Sequence, residues 1–140
     1  MSHSVKIVMI EDDHGHARLI EKNIRRANIA NDIVHFDHGK AAMDYLFTEE
    51  VRAQGPLLIL LDLNLPDMSG TDILDRVKSD EKLKRAPVVV LTTTDDRGEI
   101  QRCYGLGCNV YITKPVDYEG FSGAIRQLGL FLSVMQAPDI

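Results

Sequence analysis

The feature that most limits how this chain can fold is a run of five apolar residues, Leu57-Leu58-Ile59-Leu60-Leu61, fenced by Gly55-Pro56 before it and Pro66 after it. The run is too short for a helix and is closed by proline, so it reads as a strand buried on both faces. Asp62 follows at its end. A carboxylate there must be paired, bound to metal or turned to the mouth of a crevice, because burial alone is prohibitive. On its own, Asp62 reads first as a helix cap or a turn residue, a preference that three other stretches overturn.

The neighbouring segments repeat the pattern. Apolar, mostly β-branched stretches at 5–10, 32–36, 88–91 and 110–112 predict four further strands. Between them, apolar spacings of three and four predict helices over about 15–27, 40–47, 71–78, 97–106 and 118–135. The polar segment 48–56 is expected to be a loop, and 79–86 a charged connector with room for one helical turn. Five strands alternating with five helices, without repeat or linker, imply an α/β domain with a parallel sheet covered on both faces. One domain is expected over 1–140, with its core at about 5–127 and a last apolar helix reaching about residue 136.

Bulk properties narrow the function. A chain that is 44% hydrophobic and 26% charged is an ordinary globular one, which excludes a disordered or fibrous class. Net charge of −5 without a Lys/Arg-rich face argues against a nucleic-acid partner. Cys103 and Cys108 are too few and wrongly spaced for a disulfide scaffold or zinc site. The start, Met1-Ser2-His3-Ser4-Val5-Lys6, is no signal peptide, and no apolar run approaches the ~20 residues that span a bilayer. No membrane role is therefore expected, and a reducing, cytoplasmic setting is.

In a doubly wound sheet, ligands sit outside the carboxyl ends of the strands. Here those ends carry Glu11-Asp12, Asp62, Thr92-Thr93 and Thr113-Lys114. Three carboxylates crowded together repel unless cations intervene. Lys114 supplies one cation, and a hard divalent ion such as Mg²⁺ suits the all-oxygen remainder. Thr92 adds a hydroxyl that can donate to an anion. A carboxylate nucleophile, a metal, a lysine and a hydroxyl donor together describe an acyl-phosphate site.

These stretches are Ile10-Glu11-Asp12-Asp13, the segment from Leu61 through Asp62-Leu63-Asn64-Leu65-Pro66-Asp67-Met68-Ser69 to Gly70, Val90-Leu91-Thr92 and Tyr111-Ile112-Thr113-Lys114-Pro115. Through them the chain resembles the receiver domain of two-component response regulators. The resemblance implies a flavodoxin-like (βα)5 sandwich with strand order 2-1-3-4-5. It makes Asp62 the phospho-acceptor for a sensor histidine kinase's phosphohistidine. Glu11 and Asp12 become the acidic Mg²⁺ pair, with Mn²⁺ or Ca²⁺ able to stand in. Asn64 becomes a ligand through its backbone carbonyl, Lys114 and Thr92 the partners of the phosphoryl oxygens, and Tyr111 the switch aromatic that responds to Thr92. A cis peptide before Pro115 is implied as well. Such a protein is a switch that promotes only its own phosphorylation and dephosphorylation, and it is no enzyme in the wider sense. Glu11 stands where many receivers carry Asp, so Asp12 is the stronger metal candidate. Thr93 takes a position where a small residue is common.

The last helix is apolar nearly all round from Leu128 onward. Phe121, Ile125, Leu128, Leu132 and Met135 make one stripe; Leu130, Phe131 and Val134 lie off it. An apolar surplus of this size marks a partner surface. With the connector at 79–86 and Gly129-Leu130-Phe131-Leu132, it is similar to stand-alone regulators of phytochrome-type kinases, in bacteriophytochrome light signalling. That resemblance implies a homodimer through the helix at 97–106, the strand at 110–112 and the last helix. His14, His16, His35 and His38 read as surface residues, Cys103 and Cys108 as small packing residues, and Asp95-Asp96 as a cap on the helix at 97–106.

Two other classes compete. An aspartate-based, Mg²⁺-dependent phosphohydrolase of the haloacid dehalogenase type needs a second acid two residues after its nucleophile, where this chain has Asn64. A flavodoxin-like flavin-binding module needs a Thr/Ser/Gly-rich phosphate loop after the first strand, where Glu11-Asp12-Asp13 would repel phosphate.

Overall fold

The apolar run at 57–61 forms the middle strand of a five-stranded parallel sheet, and none of its side chains reaches solvent. The computed structural model describes residues 5–53, 56–114, 119, 120 and 123. The strands are β1 (Lys6–Ile10), β2 (Ile33–Phe36), β3 (Leu57–Leu61), β4 (Val88–Thr92) and β5 (Val110–Thr113), in the order β2-β1-β3-β4-β5. The implied order and hand-over of strands is thus the one observed. Register sets Ile10 beside both Phe36 and Leu61, Leu61 beside Val90 and Thr92 beside Thr113, so β4 and β5 run two residues past the ends of the other three strands.

Side-chain alternation divides the core between the two faces of the sheet. Val8, Ile10, Ile59, Leu61, Val88 and Val90 meet Ala42, Met43, Leu46, Ile73, Leu74 and Val77 on one side. Ile7, Met9, Leu58, Leu60, Val89 and Leu91 meet Ala17, Ile20 and Ile24 on the other. Each fully buried Leu or Ile contributes about 1.5–3 kcal/mol, which is why these faces fix the register.

The helices are α1 (His14–Arg26), α2 (Gly39–Leu46), α3 (Glu49–Ala53), α4 (Gly70–Ser79) and α5 (Arg97–Leu106), with a 3-10 turn at Leu83–Arg85. Asp13 caps α1 by accepting from His16 N, Ser69 caps α4 from Thr71 N, and Asp96 caps α5 from Glu99 N. Helix α5 stops at Gly107, whose φ of 107° is a conformation glycine adopts without strain.

Segment 48–56, expected to be a loop, contains α3. Thr48 Oγ1 accepts from Val51 N at 3.2 Å, two glutamates occupy the first turn, and Val51 drops into the core. One buried anchor and one cap suffice for a single helical turn in an otherwise polar stretch. The connector at 79–86 contributes its 3-10 turn with Leu83 buried. Cys103 and Cys108 are buried packing residues, and burial pushes the Cys108 thiol up to about 11. On the edge strand β5, the amide of Tyr111 donates to the Tyr104 hydroxyl at 3.1 Å.

The last helix, the peptide before Pro115, and Leu130, Phe131 and Val134 lie outside the described residues, save that Glu119, Gly120 and Gly123 are helical.

Candidate functional site

Backbone bonds running past the strand ends hold the site residues in place. Glu11 N donates to Phe36 O at 2.9 Å, Asp62 N to Ile10 O at 2.9 Å, and Lys114 N to Thr92 O at 2.7 Å. These bonds carry the sheet's edge one residue further, onto the side chains that hold the chemistry.

Glu11, Asp12 and Asp62 each bring a carboxylate oxygen into a cluster whose members lie within 4.8 Å of one another. Asp12 is exposed, while Glu11 and Asp62 are buried at 2% and 6% exposure. Lys114 enters between the buried pair: its Nζ donates to Glu11 Oε1 and to Asp62 Oδ2, the latter at 3.2 Å. Asp62 Oδ1 accepts from Asn64 N at 3.0 Å. Glu11 Oε2 accepts from Asp13 N at 3.2 Å.

One ammonium cannot balance two buried acids. Burial first, and then Asp62 against it, push Glu11 up to about 7 despite the opposing pull of Lys114. Because the unfolded value is near 4.5, the folded protein holds an extra proton between about pH 4.5 and 7. Stability of the metal-free protein therefore falls as pH rises through that window and is level above it. Glu11→Gln removes the buried acid. In chelator at pH 8 it is expected to be more stable than wild type by on the order of 1 kcal/mol, with a flatter pH profile. Denaturant melts from pH 5 to 8 check this.

The donor set is all oxygen, includes one solvent-facing carboxylate, and carries more negative charge than its lysine offsets. Those properties fit a hard divalent ion that retains water. Glu11, Asp12 and Asp62 would hold it.

Thr92 is fully buried at the end of β4, and its hydroxyl accepts from Asn64 Nδ2 at 3.3 Å. Thr93 Oγ1 lies 3.5 Å from the same amide nitrogen. Tyr111 is half-buried against the core beneath α5, and its hydroxyl donates to Thr94 O at 2.6 Å. Burial pushes that phenol up to about 12, so it stays a donor.

The histidines differ from the surface reading in detail. All four are exposed or half-exposed, yet His35 Nε2 donates to Glu11 O at 2.7 Å and His14 Nε2 bonds Asp37 Oδ2 at 3.1 Å. His16 Nδ1 lies 3.4 Å from Lys114 Nζ, at the pocket's rim. A lone histidine gives no sequence signal for such contacts, because they join the ends of separate strands.

One edge of a flavodoxin-like parallel sheet thus gathers a carboxylate cluster, a lysine side chain buried between two of its members and a buried threonine hydroxyl. The chain belongs to the response regulator receiver domain family, which it matches over residues 7–126. It is similar to a response regulator receiver domain from Rhodospirillum rubrum, with 63% identity, TM-score 0.80, and 96% and 97% of the two chains covered. It is also similar to the phosphorylated cyanobacterial phytochrome response regulator RcpA, at 36% identity, TM-score 0.77, and 93% and 94% coverage. Response regulator Rcp1 of Synechocystis is 37% identical over 110 residues, covering 77% of this chain and 75% of Rcp1. Its Mn²⁺-bound form superposes with a TM-score of 0.75 at 30% identity over 97% and 98% of the chains. Phytochrome response regulators are thus among its relatives. Among the described residues no helix is long and apolar enough to cross a membrane.

Proposed function

We propose that this receiver takes a phosphoryl group from the phosphohistidine of a sensor histidine kinase onto Asp62, in a Mg²⁺-dependent reaction. The observation that carries this reading is the convergence of Glu11, Asp12, Asp62 and Lys114 from three strand ends into one pocket. An oxygen of Asp62 attacks phosphorus, a P–O bond forms, and the P–N bond breaks with its electron pair returning to the kinase imidazole. Mg²⁺, when bound, offsets charge on the phosphoryl oxygens. Asp12, Asp62 and the Asn64 backbone carbonyl would be its protein ligands, with Glu11 reaching it through water. Lys114 and Thr92 donate to the oxygens that remain.

Thr92 is also the switch element. Drawing its hydroxyl toward the phosphoryl group releases Asn64 Nδ2 and shifts the chain two residues before Thr94, whose carbonyl holds Tyr111. Tyr111 then repacks beside α5 and β5 and changes the face they present. The Mn²⁺-bound form of Rcp1 supports a divalent ion in such a pocket. Asn64, an amide bonded to Thr92, stands where the hydrolase reading requires an acid.

Similarity to RcpA and Rcp1 supports a phytochrome-type kinase as donor and one receiver unit over 1–140, and the ordinary globular composition fits a cytoplasmic setting. A homodimer through α5, β5 and the last helix, with Leu130, Phe131 and Val134 at its centre, follows from the apolar surplus in the sequence. Leu130→Asp combined with Phe131→Asp should halve the mass seen by light scattering; an unchanged mass discards that interface.

The direct test of the phosphoacceptor reading is incubation with acetyl phosphate and Mg²⁺ followed by intact-mass measurement. One phosphoryl adduct is expected, absent when EDTA is present. No adduct at any Mg²⁺ concentration would overturn the reading.

A further inference from the structure

Helix α2 has no cap of its own. His38 occupies the N-cap position with extended backbone, φ −134° and ψ 145°, yet its side chain bonds no helix amide. Its Nδ1 turns to Asp37 Oδ1 instead, at 2.7 Å. The open amides of α2 are taken by a carboxylate far along the chain. Gly39 N donates to Asp67 Oδ1 and Lys40 N to Asp67 Oδ2, each at 2.8 Å. Helix and loop also touch beside these bonds: a Cβ on Gly39 would fall 2.4 Å from Met68 Cγ.

Asp67 belongs to the connection between β3 and α4, the same connection that carries Asn64. Internally, this connection is held by the Asn64↔Ser69 bridge and by Gly70 N donating to Leu63 O at 3.0 Å. Those bonds close the loop on itself, Asn64 ties its inner end to Asp62 Oδ1 and Thr92 Oγ1, and Leu65 and Met68 rest on the core, while the polar tie of its outer half runs through Asp67 to α2. Asn64, Pro66, Asp67 and Ser69 are all exposed. Across an open groove from them stands Asp12, the solvent-facing member of the carboxylate cluster. The two bonds from Asp67 to α2 are charge-assisted and sit at a helix N-terminus, where a carboxylate is favoured twice over. The amides of Lys40 and Gly39 hold the Asp67 carboxyl below its ordinary range, so the tether is charged throughout neutral pH.

We propose that Asp67 is a positioning residue: by capping α2 from across the groove, it fixes the β3–α4 loop, and with it the Asn64 backbone, at the distance from Asp12 and Asp62 that a Mg²⁺ ion spans. The proposal rests on the phosphoacceptor reading for the identity of the ion and goes beyond it in naming what holds the loop. A ligand whose place is set before the ion arrives loses less freedom on binding, so the tether contributes to affinity without touching the metal.

Capping and positioning can be separated experimentally. Asp67→Ala removes both. Adding His38→Ser gives α2 a local cap at a position whose backbone already suits one, and leaves the loop untethered. Mg²⁺ affinity is read by titration calorimetry, and amide exchange at 63–69 is read in chelator. Asp67→Ala should lower the melting temperature and weaken Mg²⁺ binding by about tenfold. The double variant should recover the melting temperature, while Mg²⁺ binding stays weak and exchange at 63–69 stays fast. Asp67→Asn, which keeps one acceptor oxygen, should fall between. A wild type that binds Mg²⁺ and a double variant that binds it equally well overturn this proposal alone. A wild type that binds no Mg²⁺ sinks the phosphoacceptor reading and the proposal together.

Discussion

Asp62→Asn is expected to gain no phosphoryl group from acetyl phosphate under conditions that saturate the wild type. The amide keeps the size and the bond from Asn64 N but lacks the anionic oxygen pair that attacks phosphorus. Under the proposed function the loss should be complete within detection, since Asp62 is its sole acceptor. Labelling that survives in the variant would move the acceptor elsewhere. The same substitution should leave the fold at least as stable. In the wild type Lys114 serves two buried acids, and Asp62 is one cause of the upward push on Glu11. With an amide at 62, Lys114 and Glu11 become a one-to-one pair, so metal-free stability at pH 8 should rise by on the order of 1 kcal/mol. Phosphorylation lost together with stability gained is a signature that a merely damaged protein would not give.

Gly70→Ala should do the opposite to the fold. A Cβ at this position would lie 2.5 Å from Asp62 O and 2.6 Å from Leu63 Cα. Both are backbone atoms, so no flexible side chain can swing away. Gly70 N also donates to Leu63 O, which holds the start of α4 against the end of β3. The methyl group must push α4 outward or displace Asp62 itself. Overpacking of this kind costs about 3 kcal/mol, at the upper end of the usual range, because the collision is with main chain on both sides. Unfolding in urea should show that loss, and whatever folded protein remains should accept phosphoryl groups slowly, since the carboxylate has moved. Gly105→Ala, with nothing within 4 Å of its Cβ position, is the control and should be near neutral or slightly stabilising.

The sheet was legible in the linear text because each strand is a short apolar run, and because the length of the intervening helices forces parallel crossovers. The run at 57–61 announced its own burial, and β3 has no exposed residue. The site was legible for a related reason. Once strands are parallel, their carboxyl ends share one edge of the sheet, so Glu11 and Lys114 could be expected to meet although 103 residues separate them. What escaped was of another kind. Helix α3 depends on one apolar residue, Val51, in a polar stretch, too little for any periodicity to register. The grip of Asp67 on α2 depends on the angle at which two connections pass each other, and a lone aspartate between proline and methionine carries no mark of it. His16 near Lys114 and His35 on the Glu11 carbonyl are likewise products of proximity alone.

The hydroxyl that Tyr104 offers to the Tyr111 amide bears on how this protein behaves when crowded. An outermost β5 with a free amide would invite a second molecule to extend the sheet rung by rung, the route by which open sheets stack into fibres. A side chain already occupies that rung. With that rung taken, a second molecule meeting β5 there must dock through side chains rather than add a strand.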